Sequence, residues 1–264
     1  MNRWRLLRSD DPTHPLPLLT EGGGWGVVPP RGDTQHSSAE AEWNMRYDAD
    51  LLEGVRTNAL PPTLRLYQWK QPAMTVGRFQ NIERTINTEF CQHQEIPIVR
   101  RMTGGRGILH GTDLTVALAV PIVHLLPQGY EAKGVSQVYT AISEVFLRSF
   151  AACGVLAKAG READNQSGAG NCFAVHSRAD IVAANGTAKL LGAALHRSGN
   201  TILMQASIPR SGDEAILNEA FLGESTPRTL PADFSLQDLE AAIIQNFAAN
   251  FTISLLISEP IDRK

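Results

Sequence analysis

Two residues of this chain are suited by type and setting to covalent chemistry, a cysteine and a lysine that follows it. Cys172 stands in Gly168-Ala169-Gly170-Asn171-Cys172-Phe173. A free cysteine is most often a small buried hydrophobe. The Gly, Asn and Ser residues around this one indicate an exposed turn instead, and a reactive thiol needs access. Lys189 opens an apolar run just past the turn Asn185-Gly186. Most lysines are solvated surface groups, but here the stem can be buried and the ammonium aimed inward. A cation beside a thiol lowers the thiol pKa and can polarise an acyl carbonyl. Cys91 and Cys153 lie in helix-like segments and are assigned to packing.

A third feature can hold what such a pair would attack. Arg100-Arg101-Met102-Thr103-Gly104-Gly105-Arg106-Gly107-Ile108-Leu109-His110 follows the short β-branched run 96–99 and precedes the apolar run 114–120. Glycines at 104, 105 and 107 let a ligand lie against the backbone, and amide N–H groups there can hold a carbonyl, carboxylate or phosphate oxygen. His110 can orient a carbonyl or shuttle a proton, or it can make a structural hydrogen bond at a strand start. Arg100, Arg101 and Arg106 can bind acidic surfaces or phosphate, although a solvated loop charge is expected among them. Asp180 is expected to fix a turn by hydrogen bonding, with a contact to the lysine as the alternative.

The elements that must position these residues are readable in outline. Ser37 with Glu40 forms a capping-box pattern, and Trp43, Tyr47, Leu51 and Val55 recur near helical spacing until Asn58 and Pro61-Pro62. Residues 64–69 alternate like a strand, and 73–77 reads as its neighbour. A second helix runs from about Ser136 to Gly154. Residues 160–171 read as a loop, while 179–184, 189–197 and 201–208 read as strands joined by turns. Ser235 with Asp238 opens a last helix through Phe251, and 253–257 reads as a closing strand. Helices interspersed among hairpins indicate an α+β fold, a single domain with a mixed or antiparallel sheet flanked by helices. Residues 1–36, rich in Pro and Gly from residue 12 onward, are expected to form an irregular N-terminal arm, with the domain proper spanning 37–264.

The chain has 264 residues, 43% hydrophobic and 19% charged, with a formal charge of −3. That is enough length for a substantial core, and the charge argues against bulk nucleic-acid binding. No stretch of roughly 18 apolar residues predicts a membrane span, and the N-terminus lacks the apolar region of a signal peptide. Three cysteines without metal-ligand spacing lead to an expectation of free thiols in a reducing, cytoplasmic setting.

The segment Arg100-Arg101-x-Thr103-Gly104-Gly105-Arg106-Gly107-x-x-His110 resembles the signature loop of the lipoate/octanoate transferase and ligase superfamily, which also includes biotin-protein ligases. The order of that loop, Cys172-Phe173, Asp180-Ile181-Val182, a turn, Lys189 and Gly192 is similar to the cysteine-dependent octanoyltransferases, and the likeness spans roughly residues 43–208. Asn44-Met45 fits the whole superfamily. The resemblance implies the catalytic-domain fold of the biotin and lipoate protein ligases. It implies Cys172 as nucleophile and Lys189 as its assistant, with Arg101, Thr103, Gly104, Gly105, Arg106, Gly107, His110, Asp180 and Gly192 around the substrate. It further implies acyl carrier protein as donor, a lipoyl domain or glycine-cleavage H-type protein as acceptor, and no cofactor.

Three departures keep other branches open. Two residues separate Gly186 from Lys189 where the family often has one. Gln205-Ala206-Ser207 stands where a His-Gly-Ser segment is usual. Gly77-Arg78-Phe79-Gln80-Asn81 resembles a segment of the ATP-dependent ligases. The alternatives are a lipoate-protein ligase using ATP and Mg to form a lipoyl-adenylate, an amidotransferase moving acyl groups between carrier domains, and a non-catalytic paralogue.

Overall fold

A strand buried on both faces reads as a near-continuous apolar run, and residues 114–120, Leu-Thr-Val-Ala-Leu-Ala-Val, meet that description with Thr115 as the one polar residue. The computed structural model describes residues 2–8, 16–19, 25–28, 37–126, 136–160, 180–186, 188–223 and 230–257. In chain order the elements are β1 (Asn2–Arg8), β2 (Leu16–Leu19), β3 (Trp25–Val28), α1 (Ser37–Arg56), β4 (Thr63–Gln68), β5 (Ala73–Val76), α2 (Thr88–His93), β6 (Ile98–Arg100), β7 (Ile108–His110), β8 (Asp113–Pro121), α3 (Ser136–Ala152), β9 (Ala157–Ala159), β10 (Ile181–Ala183), β11 (Lys189–Ser198), β12 (Thr201–Pro209), α4 (Glu214–Ala220), α5 (Leu236–Phe251) and β13 (Ile253–Ile257).

Eight strands form the main sheet in the order β13-β1-β4-β8-β12-β11-β10-β9. β13, β1 and β4 run parallel to one another, and every later pairing is antiparallel. β8 sits at its centre between β4 and β12, and helices cover its side chains on both faces. Period-two alternation assigns the two faces. Leu64, Leu66, Leu114, Val116, Leu118, Ile202 and Met204 join Phe146 of α3 and Phe247 of α5 in one core. The intervening residues Tyr67, Ala117 and Leu203 pack with Ala41, Met45 and Leu52 of α1 on the other face. Arg65, Thr115, Gln205 and Ser207 share the parity of that second face, and all four are buried. The α1 face of the main sheet therefore carries buried polar groups, while the opposite face is apolar.

A three-stranded sheet, β6-β5-β7, stands beside it, backed by a core that joins Met74 and Val76 to Cys91 of α2 and Leu217 of α4. β5 was expected to neighbour β4. It instead pairs in parallel with β6 and antiparallel with β7, because both edges of β4 are already taken by β1 and β8. The expected irregular arm is also corrected at its start: Asn2–Arg8 is a strand of the main sheet, and β2 and β3 form a hairpin. Trp4 and Leu6 are buried in the main core, and the arginines between and beside them mask that alternation in the sequence.

The helix ends follow local chemistry. α1 begins at Ser37 and stops before Asn58, which takes a left-handed conformation (φ 59°). Glu40 reaches the backbone N–H of Lys70 (3.2 Å) and so ties α1 to the end of β4. Ser235 caps α5 by accepting the N–H of Asp238 at 3.1 Å. Ser235→Ala is expected to cost about 1 kcal/mol, read as a shift of the urea midpoint without a change in slope. No helix among the described residues is long and apolar enough to cross a membrane.

Candidate functional site

The glycine-rich loop between β6 and β7 is braced from within by the arginines that precede it. Arg101 is buried, and its Nη2 donates to the carbonyls of Gly104 (2.7 Å) and Arg106 (2.8 Å) while Nη1 donates to Thr75 O (3.2 Å). Arg100 Nη1 donates to the carbonyls of Gly77 (2.6 Å), Arg78 (3.1 Å) and Gln80 (3.0 Å). These two guanidinium groups, expected to meet acidic surfaces or phosphate, instead hold loop backbone. Arg106 is half-buried, Gly105 is exposed, and Gly107 is buried where β7 begins. Gly105 has a φ of +87°, a conformation only glycine adopts without strain.

Under the loop lies a small, open-mouthed cavity. Its walls come from Met45 of α1, Thr75 of β5, Gly105 and Ile108 of the loop, Gly192 to Ala194 of β11, and Gln205 to Ser207 of β12. Several wall residues are polar by type, yet their hydrogen-bonding groups are turned to one another. Asp113 is the hub. Its Oδ2 accepts from His110 Nδ1 (2.8 Å), Thr115 Oγ1 (2.9 Å) and Ser207 Oγ (2.7 Å), and its Oδ1 accepts from Gly111 N (3.2 Å). Trp69 Nε1 donates to Thr115 Oγ1 (2.8 Å), and the Trp69 ring stacks on His110 with centroids 4.2 Å apart. On its other side, His110 Nε2 lies 2.9 Å from the Thr75 hydroxyl. Both ring nitrogens are thus engaged. Of the two sequence readings of His110, this geometry is that of a braced structural imidazole.

A second polar cluster lies behind the cavity, between α1 and the sheet. Asp48 is fully buried and accepts from Arg65 Nη1 (2.7 Å), Tyr67 OH (3.1 Å) and Gln205 Nε2 (2.7 Å). Arg65 also bonds Asn44 Oδ1 and lies over the rings of Tyr67 (3.8 Å) and Tyr47 (4.3 Å). Burial opposes the Arg65 charge, but Asp48 and the two tyrosines outweigh it and raise its pKa. Burial, with Asp48 adding to it, pushes the Tyr67 phenol well above its ordinary value. A charged arginine and neutral tyrosines are therefore fixed at any physiological pH. Thr103 joins this cluster from the loop by donating to Gln205 Oε1 at 2.7 Å.

Lys189 and Asp180 meet as a buried ion pair, Nζ to Oδ2 at 2.9 Å. The pairing of β10 with β11 shifts register between Ile181 and Val182, so that Ile181 faces Leu191 while Val182 faces Lys189. Such an irregularity re-aims side chains, and here it accompanies a lysine drawn inward at the start of β11. Gly192, three residues on, lines the cavity. Residues 161–179, and with them Cys172, lie outside the described residues. Cys91 and Cys153 keep their packing role. Burial raises both thiols, with Asp238 adding to the effect at Cys153, which disfavours the thiolate that nucleophilic attack needs.

The structure thus brings Arg101, Gly105, His110 and Gly192 around one cavity, leaves Thr103, Gly104, Arg106 and Gly107 outside its lining, and joins Asp180 to Lys189. Thr75, Asp113 and the Asp48–Arg65 pair were missed in the sequence. A usable signal existed for two of them. Asn44 and Asp48 fall on the helical face that also carries Met45, Leu51 and Leu52, where a polar residue is anomalous. Asp113 stands three residues after His110 at the mouth of an apolar strand.

Residues 40–248 match the family described as the lipoyl protein ligase A/B catalytic domain. The chain is 34% identical over 225 residues to the octanoyltransferase LipM of Bacillus cereus, covering 81% of this chain and 78% of that protein. It is 36% identical over 188 residues to octanoyltransferase LipM of Bacillus anthracis, covering 68% of this chain and 65% of that one. A T. acidophilum protein solved with lipoic acid bound superposes with a TM-score of 0.65 at 20% identity, over 79% of this chain and 81% of that chain. At that identity what is shared is the fold, and it is the one the signature loop implied. With a family match that runs over most of its length, the chain belongs to the lipoyl protein ligase A/B catalytic-domain family.

Proposed function

We propose that this protein is an octanoyltransferase of protein lipoylation, taking the acyl group from octanoyl-acyl carrier protein and passing it through a Cys172 thioester to a lysine of a lipoyl domain or of a glycine-cleavage H-type protein. The observation that carries the reading is the cavity wall. Thr75, His110, Thr115 and Ser207 engage one another and Asp113, so a nominally polar pocket offers its occupant an apolar surface beside Met45, Ile108, Ala193 and Ala194. That surface suits an alkyl chain, each buried CH₂ contributing about 0.8 kcal/mol. The identity to curated octanoyltransferases supports the same acyl group.

In the first step the Cys172 thiolate attacks the donor thioester. The new bond is carbon to Sγ, the carbon–sulfur bond to the carrier breaks, and the carrier thiolate takes a proton. In the second, the ε-amine of the acceptor lysine attacks the acyl-enzyme, an amide forms, and Cys172 leaves as thiolate while the amine loses its proton. Thioester exchange is nearly isoenergetic and the amide is more stable, so the cycle consumes no ATP. Lys189 serves as the cation of the site, beside Asp180, and its charge favours the thiolate and the developing oxyanion. Loop amides from Thr103 to Gly107 are the further donors to that oxygen.

The test is intact mass after incubation with octanoyl-acyl carrier protein in the absence of ATP, beside a Cys172→Ala control. A single octanoyl adduct, lost in the control and on neutral hydroxylamine treatment, is the expected result. No adduct on the wild-type chain, together with pyrophosphate release from Mg-ATP and lipoate, would replace this reading by that of a ligase.

A further inference from the structure

Gln205 is placed where it can govern how the glycine-rich loop closes over the cavity. β12 carries it on the α1 face of the main sheet, buried, with its side chain in the cavity wall. Both ends of its amide are engaged. Oε1 accepts the Thr103 hydroxyl at 2.7 Å, and Nε2 donates to Asp48 Oδ2 at 2.7 Å and lies 3.6 Å from Met45 Sδ. The chemistry on each side is directional: a hydroxyl donor needs an acceptor, and a carboxylate needs a donor. An amide supplies one of each, and the network sets which end is which. Asp48 in turn cannot move, because Arg65 and Tyr67 hold it and the Arg65 guanidinium is sandwiched by aromatic rings.

Thr103 begins the segment that roofs the cavity. It is fully buried, and Gly104 and Gly105 follow it directly. Arg101 fixes the shape of this loop by gripping the Gly104 and Arg106 carbonyls, but that bracing is internal to the loop and the small sheet. The Thr103–Gln205 bond spans from the loop to the main sheet, and Asp48 carries it on to α1. We propose that Gln205 is a positioning residue for acyl binding: it couples Thr103 to the buried Asp48–Arg65 pair and so sets the height of the glycine-rich loop over the acyl chain. This inference rests on the acyl-transfer reading above, which makes the cavity an alkyl site.

Three single variants and one double variant test it. Thr103→Val keeps the shape and removes the hydroxyl, Thr103→Ser keeps the hydroxyl, and Gln205→Leu removes the amide. Binding of octanoic acid by calorimetry is measured alongside KM and kcat for acylation of Cys172 by octanoyl-acyl carrier protein. Thr103→Val and Gln205→Leu are each expected to weaken octanoate binding and raise KM by about tenfold, the effect of one lost buried hydrogen bond. Acylation kcat should fall alongside affinity, because the loop amides that donate to the oxyanion move with Thr103. The double variant should be no worse than the worse single one, because both break the same bond, and Thr103→Ser should behave as wild type. Thr103→Val leaves Gln205 on Asp48, so it remains informative even where Gln205→Leu lowers the melting temperature. Additive losses, losses confined to kcat, unchanged affinity in both variants, or no rescue by serine would each overturn the inference. A wild-type chain that binds octanoate but is not acylated would sink the transfer reading alone, and the affinity series would still decide the role of Gln205. A wild-type chain that neither binds octanoate nor is acylated would sink both.

Discussion

Gly77→Ala is expected to lower Cys172 acylation by about 100-fold or more while leaving a folded protein, because a misplacement of about 1 Å at a binding loop suffices for a loss of that size. A Cβ at Gly77 would stand 1.9 Å from the Gly105 carbonyl oxygen, 2.8 Å from its carbon and 3.1 Å from the Gly104 carbon. All three are backbone atoms, so no side chain can swing aside. The two strands of loop are also clamped together at this point. Arg78 N donates to Thr103 O at 2.9 Å and Arg100 Nη1 donates to Gly77 O at 2.6 Å. The glycine-rich loop must therefore move bodily, and with it Gly105, which lines the cavity. Overpacking of this kind costs about 1–3 kcal/mol of stability, measurable by urea unfolding. Gly104→Ala is the steric control: nothing lies within 4 Å of its added Cβ, and its stability should remain within about 0.5 kcal/mol of wild type. Wild-type acylation by a folded Gly77→Ala protein would show that the loop does not need its observed position.

How much of this was legible in the sequence depended on whether the signal was local. The helices α1, α3 and α5 each run 16 residues or more, long enough for periodicity to be read, and their caps and stops lie where Ser, Asn and Gly stand. The hairpin of β11 and β12 and the apolar run of β8 were equally plain. α4 was not read, because a 7-residue helix covers fewer than two full turns and shows no resolvable period. β1 was lost among arginines. The pairing of β5 could not be read at all, since alternation identifies a strand and says nothing of its neighbour.

The site divides in the same way. The glycine-rich loop, His110, Gly192, Lys189 and Asp180 were visible because their types are unusual where they stand. Their partners were not. Arg65 sits in an alternating strand at a position that reads as solvent-facing, yet it is buried because Asp48 and three aromatic rings from α1 and β4 receive it. Arg101 looked like a ligand-binding charge, and only the closed loop shows that its donors meet backbone carbonyls. A charge in sequence carries no record of the group that neutralises it. Gly77 is the same case in steric form, for its need to be glycine comes from a carbonyl far along the chain.

Asp180→Ala is expected to destabilise the protein by about 3–5 kcal/mol, since it removes the carboxylate paired with a buried ammonium. Both members of the Lys189–Asp180 pair have only 2% of their side chains exposed, so water cannot stand in for the lost carboxylate. Out of a total stability of about 5–15 kcal/mol, this is the largest stability effect expected of any substitution considered for this chain. Replacing both residues by apolar ones of similar size, Asp180→Leu with Lys189→Met, removes both desolvation costs together with the attraction. The double variant should therefore recover most of the stability lost in Asp180→Ala, because buried ion pairs are often no better than well-packed apolar groups. It should not recover acyl transfer, for it lacks the cation that would favour the Cys172 thiolate and the oxyanion. Urea unfolding and the mass-shift assay on the single and double variants separate the two roles. A double variant that is stable and still acylated at the wild-type rate would make the pair a structural feature alone. One that is stable and inactive would show that the pair is kept for its charge, and that β11 begins with a lysine for the sake of the reaction.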